Sequence, residues 1–142
     1  MGRRKSNDHS KSFKSIKDIQ DKGYNISSNL LTETNSRNFK AILKHYRFLD
    51  FENVLLFLSD FPEVLEFLVE FHEVIRECFP TEELIVFYYE DHVHEIYDLW
   101  ISITIDENEN KNLMKFKILE GKFNSLTDEN IKSHVSLTST PP

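Results

Sequence analysis

The chain has 142 residues, a formal net charge of −7, 39% hydrophobic and 29% charged residues, and one cysteine. That length suits a single domain and excludes a TIM barrel or a two-domain dehydrogenase. The lone Cys78 excludes an intramolecular disulfide framework or a cysteine-rich metal site, and no apolar run approaches the ~18 residues of a membrane span, so the expectation is a soluble, cytoplasmic protein without a cofactor.

Charge is segregated along the chain. Residues 1–38 hold eight basic residues against four acids, a balance of +4, whereas residues 39–142 carry −11. The first stretch is rich in Ser, Asn and Lys and poor in apolar positions, which reads as a flexible, largely disordered basic arm ahead of one acidic domain at 39–142. Within it, Phe13, Ile16 and Ile19 recur at a spacing that allows a short helix on contact with another surface. The first six residues fit the loose M-G-x-x-x-S pattern of N-myristoylation, against which the bulky Arg3 beside Gly2 counts.

From Ser36, placed as a cap, Phe39, Ile42, Leu43, Tyr46 and Leu49 follow helical spacing. Asp50 is placed to cap a second helix over 51–58. Asp60, Phe61, Pro62 and Glu63 then offer a D-x-x-E capping box with proline in the first turn, opening a main helix that runs to about residue 79, before Pro80. Residues 84–90 and 96–106 are dense in β-branched and aromatic side chains around a polar connection at 91–95, the pattern of an antiparallel hairpin. Leu113, Phe116, Leu119, Phe123 and Leu126 favour a helix despite Gly121, and alternation through Ile131, Ser133, Val135 and Leu137 predicts a last strand. The expected fold is an α+β two-layer sandwich: N-terminal helices, a β-hairpin, a helix and a final strand, with a three-stranded sheet covered on one face.

Two constellations carry chemistry. On the main helix Glu66, Glu70, Glu73 and Glu77, with Glu63, fall opposite the apolar arc and no lysine stands among them, so like charges meet at i,i+4 where mixed signs would stabilise. The stripe suits docking of something basic, either a partner protein or the chain's own N-terminal arm, and Tyr88 and Trp100, on an open sheet face shared with Val86, suit a protein partner or a homodimer contact. The second constellation is the hairpin connection, where His92 and His94 with Glu90 and Asp98 supply metal-ligand types in a His-x-His arrangement. Cys78 on the apolar arc and His72 at its edge read as core residues, and no nucleophile-elbow, P-loop, zincin or dinucleotide motif is present. The acidic domain repels nucleic acid. The functional expectation is therefore a non-enzymatic protein–protein interaction module, an adaptor or an acidic inhibitor of the immunity type; the alternative is a small metalloprotein or enzyme built on the His92/His94 cluster.

Overall fold

Local sequence signals become structure in chain order in a computed structural model, which describes residues 13–142. Helix α1 (Ile16–Asp21) and a 3-10 turn (Ser28–Leu30) lead into α2 (Glu33–His45), β1 (Arg47–Phe48), α3 (Phe51–Asp60) and α4 (Glu63–Cys78). The hairpin β2 (Leu84–Asp91) and β3 (Ile96–Thr104) follows, then α5 (Asn110–Leu126), α6 (Glu129–Lys132) and β4 (Val135–Thr140). The fold is α+β, with one sheet of four strands in the order β1-β2-β3-β4 rather than the expected three.

Only β2 and β3 are antiparallel; β1 runs parallel to β2, and β4 parallel to β3. Parallel neighbours require a crossover. Helices α3 and α4 span the first crossover, and α5 and α6 the second. The extra strand arises because helical spacing through Tyr46 and Leu49 does not persist. Tyr46 is extended (φ −127°, ψ 148°), and its buried hydroxyl donates to the Leu68 carbonyl at 2.6 Å, tying the end of α2 to α4. The next two residues then pair with Ile85 and Val86.

Capping differs from expectation in three places. Thr32, not Ser36, caps α2 by accepting from the Asn35 N–H at 3.1 Å. Asp50 has a left-handed backbone (φ 50°) and accepts from the Asn53 side chain instead of a helix N–H. Asp60 closes α3, so no D-x-x-E box forms and Pro62 occupies the cap of α4. Ile131 sits in α6, capped by Asp128, and the last strand begins later, at Val135.

The basic stretch expected to be an arm is structured from its thirteenth residue. Phe13 is 4% exposed, and Ile19 and Leu30 are fully buried in the common core. Phe13 and Tyr24 pack edge to face at 5.7 Å, and both contact Phe51 of α3. Three isolated apolar anchors thus dock a polar segment, since each aromatic pair contributes about 0.5–1.5 kcal/mol beyond its buried area. The N-terminal part of the expected arm, including the myristoylation pattern, lies outside the described residues. No helix among the described residues is long and apolar enough to cross a membrane.

Alternation divides the sheet into two faces. Leu84, Val86, Leu99, Ile101, Ile103 and Val135 point into the core shared with the helices. On the helical side, α4 buries Val64, Leu65, Leu68, Phe71, Ile75 and Cys78. His72 stacks on His45 of α2 with ring centroids 3.8 Å apart and planes 17° from parallel. Burial, His45 and Arg76 push the His72 pKa down from 6.5 to about 4, and burial, Arg76 and Lys44 lower that of His45.

Leu30→Ala is expected to destabilise the protein by roughly 2–5 kcal/mol in denaturant unfolding, the cost of a core cavity; a negligible loss would return this segment to the status of an arm. Because both stacked histidines are harder to protonate when folded, the unfolded chain takes up protons first. Stability is full above about pH 6.5 and falls as pH drops towards 4. His72→Phe, which keeps the stack, should flatten Tm against pH in that window relative to wild type.

Candidate functional site

The α4 stripe forms as its periodicity dictates: Glu63, Glu66, Glu70, Glu73 and Glu77 are all exposed. Glu77 is met by Lys122 of α5 at 3.1 Å, a contact that raises the lysine pKa, and Glu63 accepts from the Asn130 side chain at 3.3 Å. Among the described residues, Glu66, Glu70 and Glu73 have no ion-pair partner. Glu66 and Glu70 instead line a groove of about 300 Å³ between α4 and the α5–α6 turn, which also takes in Glu63, Asp128 and the apolar surfaces of Phe67 and Leu126.

A larger cleft, about 580 Å³, opens between α3, the far end of the hairpin and the turn entering β4. Its aromatic wall comes from Phe57, Phe61, Tyr88, Tyr97 and His134, and its carboxylates from Asp60, Glu90, Glu95 and Asp98. His134 lies 3.9 Å from the Phe61 ring centroid, and Phe57 lies 6.0 Å from Tyr88. Burial, followed by Glu90 and its hydrogen bond, raises the Tyr88 pKa and keeps the phenol protonated as a donor. Asp60, Phe61, Glu95, Tyr97 and His134 were not predicted. No linear spacing links residues 60–61, 95–97 and 134; the β3–β4 crossover brings them together.

The structure separates Tyr88 from Trp100. Tyr88 stands opposite Leu99 on the core-facing side, with Val86, whereas Trp100 stands opposite Phe87 on the other face. The aromatic cluster on that second face is Phe87, Tyr89 and Trp100, with centroids 6.2 and 5.0 Å from the indole. The expected pairing of Tyr88, Val86 and Trp100 on one open face is thus corrected by strand register: even positions of β2 pair with odd positions of β3.

The hairpin histidines do not converge. His92 Nε2 lies 2.5 Å from a Glu90 oxygen, and its Nδ1 lies 3.3 Å from the Tyr97 hydroxyl. His94 Nδ1 lies 2.8 Å from Asp91 Oδ2, and Oδ1 of the same carboxylate accepts from the N–H groups of Val93 and His94. The His94 contact is the main cause of a lowered Asp91 pKa. Asp98 faces away and accepts from Ser136 at 3.3 Å. Each imidazole is therefore drawn to a different carboxylate, and the set Glu90, His92, His94 and Asp98 expected to ligate a metal is split. Among the described residues no group of three or more His, Cys, Asp or Glu is placed to hold a metal ion. Asp91 is instead the turn's organiser, with Glu95 in a left-handed conformation (φ 54°) closing the connection.

The chain matches no protein-family model, no curated protein and no solved structure.

If Asp91 holds the turn, Asp91→Ala should speed amide exchange at Val93 and His94 while leaving the β2–β3 ladder protected. Unchanged exchange at those two amides would assign the turn to the Glu95 backbone alone.

Proposed function

We propose that the protein is a non-enzymatic interaction module that binds a basic partner protein through the cleft and the groove. One observation carries this reading: the two depressions are lined by eight carboxylates, Asp60, Glu90, Glu95 and Asp98 in one and Glu63, Glu66, Glu70 and Asp128 in the other, and by no lysine or arginine. The segment after α5 serves both: Asn130, which donates to Glu63, lines the groove, and Ser133 and His134 line the cleft. The carboxylates are interleaved with exposed aromatic and aliphatic side chains. Tyr97 is 43% exposed, Leu56 61% and Leu126 67%.

A surface of one sign steers an oppositely charged partner into encounter and penalises a like-charged one, so nucleic acid is disfavoured as its occupant. Arginine suits the cleft especially, because its planar guanidinium both forks onto a carboxylate and stacks on a ring. An inhibitor that covers the basic active site of a nucleic-acid enzyme is the concrete version of this reading. Of the hydroxyls lining the cleft, that of Ser133 donates to the Asn130 carbonyl at 2.7 Å, and Cys78 is buried in the core away from the cleft.

The test is capture from host lysate with tagged protein at low salt, compared with a Glu66→Lys, Glu70→Lys, Glu90→Lys variant. Wild type is expected to retain a basic protein that salt releases and the variant to lose it. Retention by both, or binding indifferent to salt, would refute the proposal.

A further inference from the structure

Helix α5 carries a second stripe besides the one it buries. Met114, Ile118, Gly121 and Ser125 recur at intervals of four, three and four residues, so they share one face of the helix. That face is turned outward: Met114 is 65% exposed and Ile118 55%, while Leu119 and Phe123 on the other side are buried. A side-chain carbon placed on Gly121 would meet nothing within 4 Å. Glycine weakens a helix interior relative to alanine, and nothing within the protomer needs the missing side chain. Close approach of another helix would use it. The lysines bordering this stripe differ in their partners. Lys122 meets Glu77 and Lys115 lies over the Phe79 ring, whereas Lys111 and Lys117 have no ion-pair partner among the described residues. A stripe of opposite sign runs alongside. Glu66, Glu70, Glu73 and Glu77 have the same four-three-four spacing on the exposed arc of α4. Phe123 packs against Phe67 and Phe71, and Lys115 sits over Phe79, so α5 runs antiparallel to α4 and its 114–118 half lies level with Glu73 and Glu77.

We propose that the outward faces of α4 and α5 together form a self-association surface, on which a second copy of this chain docks across a two-fold axis along the seam between the two helices. Rotation about that axis lays α4 of one copy over α5 of the other, and the contact is made twice. Each contact sets the glutamate stripe against the lysine-bordered apolar stripe, with Glu73 of one copy facing Lys117 of the other. Charge complementarity selects this occupant. An anionic lipid surface or a nucleic acid drawn to the α5 lysines meets the adjoining glutamates, and a uniformly basic partner drawn to Glu73 meets those lysines. A surface carrying the same two stripes in reversed order satisfies both, and a second copy supplies it. The contact centres on Glu73, which lines neither the cleft nor the groove, and it does not depend on their function.

At physiological ionic strength, the long-range repulsion between two chains of net charge −7 is screened. The average mass of the full chain in sedimentation equilibrium should then rise with concentration toward twice the monomer mass. Lys117→Glu and Glu73→Lys, both at exposed positions, should each stay at monomer mass. Mixed in equal amounts, the two variants should recover the association, because both contacts of the mixed pair again join opposite charges. Gly121→Arg should abolish association while leaving Tm unchanged or higher, which separates loss of docking from loss of fold. A monomer at every concentration would overturn the proposal. So would an association that survives either charge reversal or Gly121→Arg, or a mixture of the two charge variants that stays monomeric.

Discussion

In the β2–β3 hairpin Tyr88 stands opposite Leu99 and Phe87 opposite Trp100, and a slip of one residue would exchange the two faces. Core burial opposes that slip. Val86, Leu99, Ile101 and Ile103 are fully buried against the helices, and burying such a side chain contributes roughly 1.5–3 kcal/mol. Both crossovers then hang on this register, since β1 joins it at Ile85 and Val86 and β4 joins it from Leu99 to Thr104. The carboxylate cleft follows too, because Tyr88 and Glu90 fall on the helix side only in this pairing.

Helix α4 shows the same hierarchy of magnitudes. Glu66 with Glu70, and Glu73 with Glu77, place like charges one turn apart, each pair costing about 0.2–0.5 kcal/mol. The opposite arc buries Leu65, Leu68 and Ile75 completely. Burial exceeds repulsion severalfold, so the helix forms whatever its outer face carries, and folding does not require the glutamates. Lys122 relieves the stripe only at Glu77, its C-terminal end. The unrelieved part borders the groove, which is where an oppositely charged partner recovers the most electrostatic energy.

Sequence patterns were legible where one period persisted. The apolar arc of α4, the paired β-rich runs and the Leu119–Phe123 face of α5 each repeat over several turns or alternations. Legibility failed where structure rests on isolated contacts. Strand β1 is two residues long and exists because Tyr46 leaves the helix to reach Leu68. Phe13 and Ile19 share with Ile16 a helical spacing too short to predict burial, and Leu30 stands apart from them, yet all three reach the core. Face assignment within the hairpin needed the register itself, which placed Tyr88 and Trp100 on opposite sides. Of the candidate site, the acidic stripe and Glu90 were readable, whereas Asp60, Phe61 and His134 join them only through tertiary crossovers. The histidine pair misled because a shared strand face does not fix where two imidazoles hydrogen bond.

The hairpin consequently serves two surfaces with alternate residues. Tyr88 and Glu90 belong to the carboxylate cleft, while Phe87, Tyr89 and Trp100 belong to the face behind it. Neighbours along β2 therefore contribute to different environments through one backbone, and substitutions on the two faces need not share a partner. The connection itself ties these residues together: Asp91 holds the turn, His92 reaches Glu90 and Tyr97, and Asp98, which also lines the cleft, accepts from Ser136 of β4. A partner that tightens on Glu90 competes directly with His92 for that carboxylate.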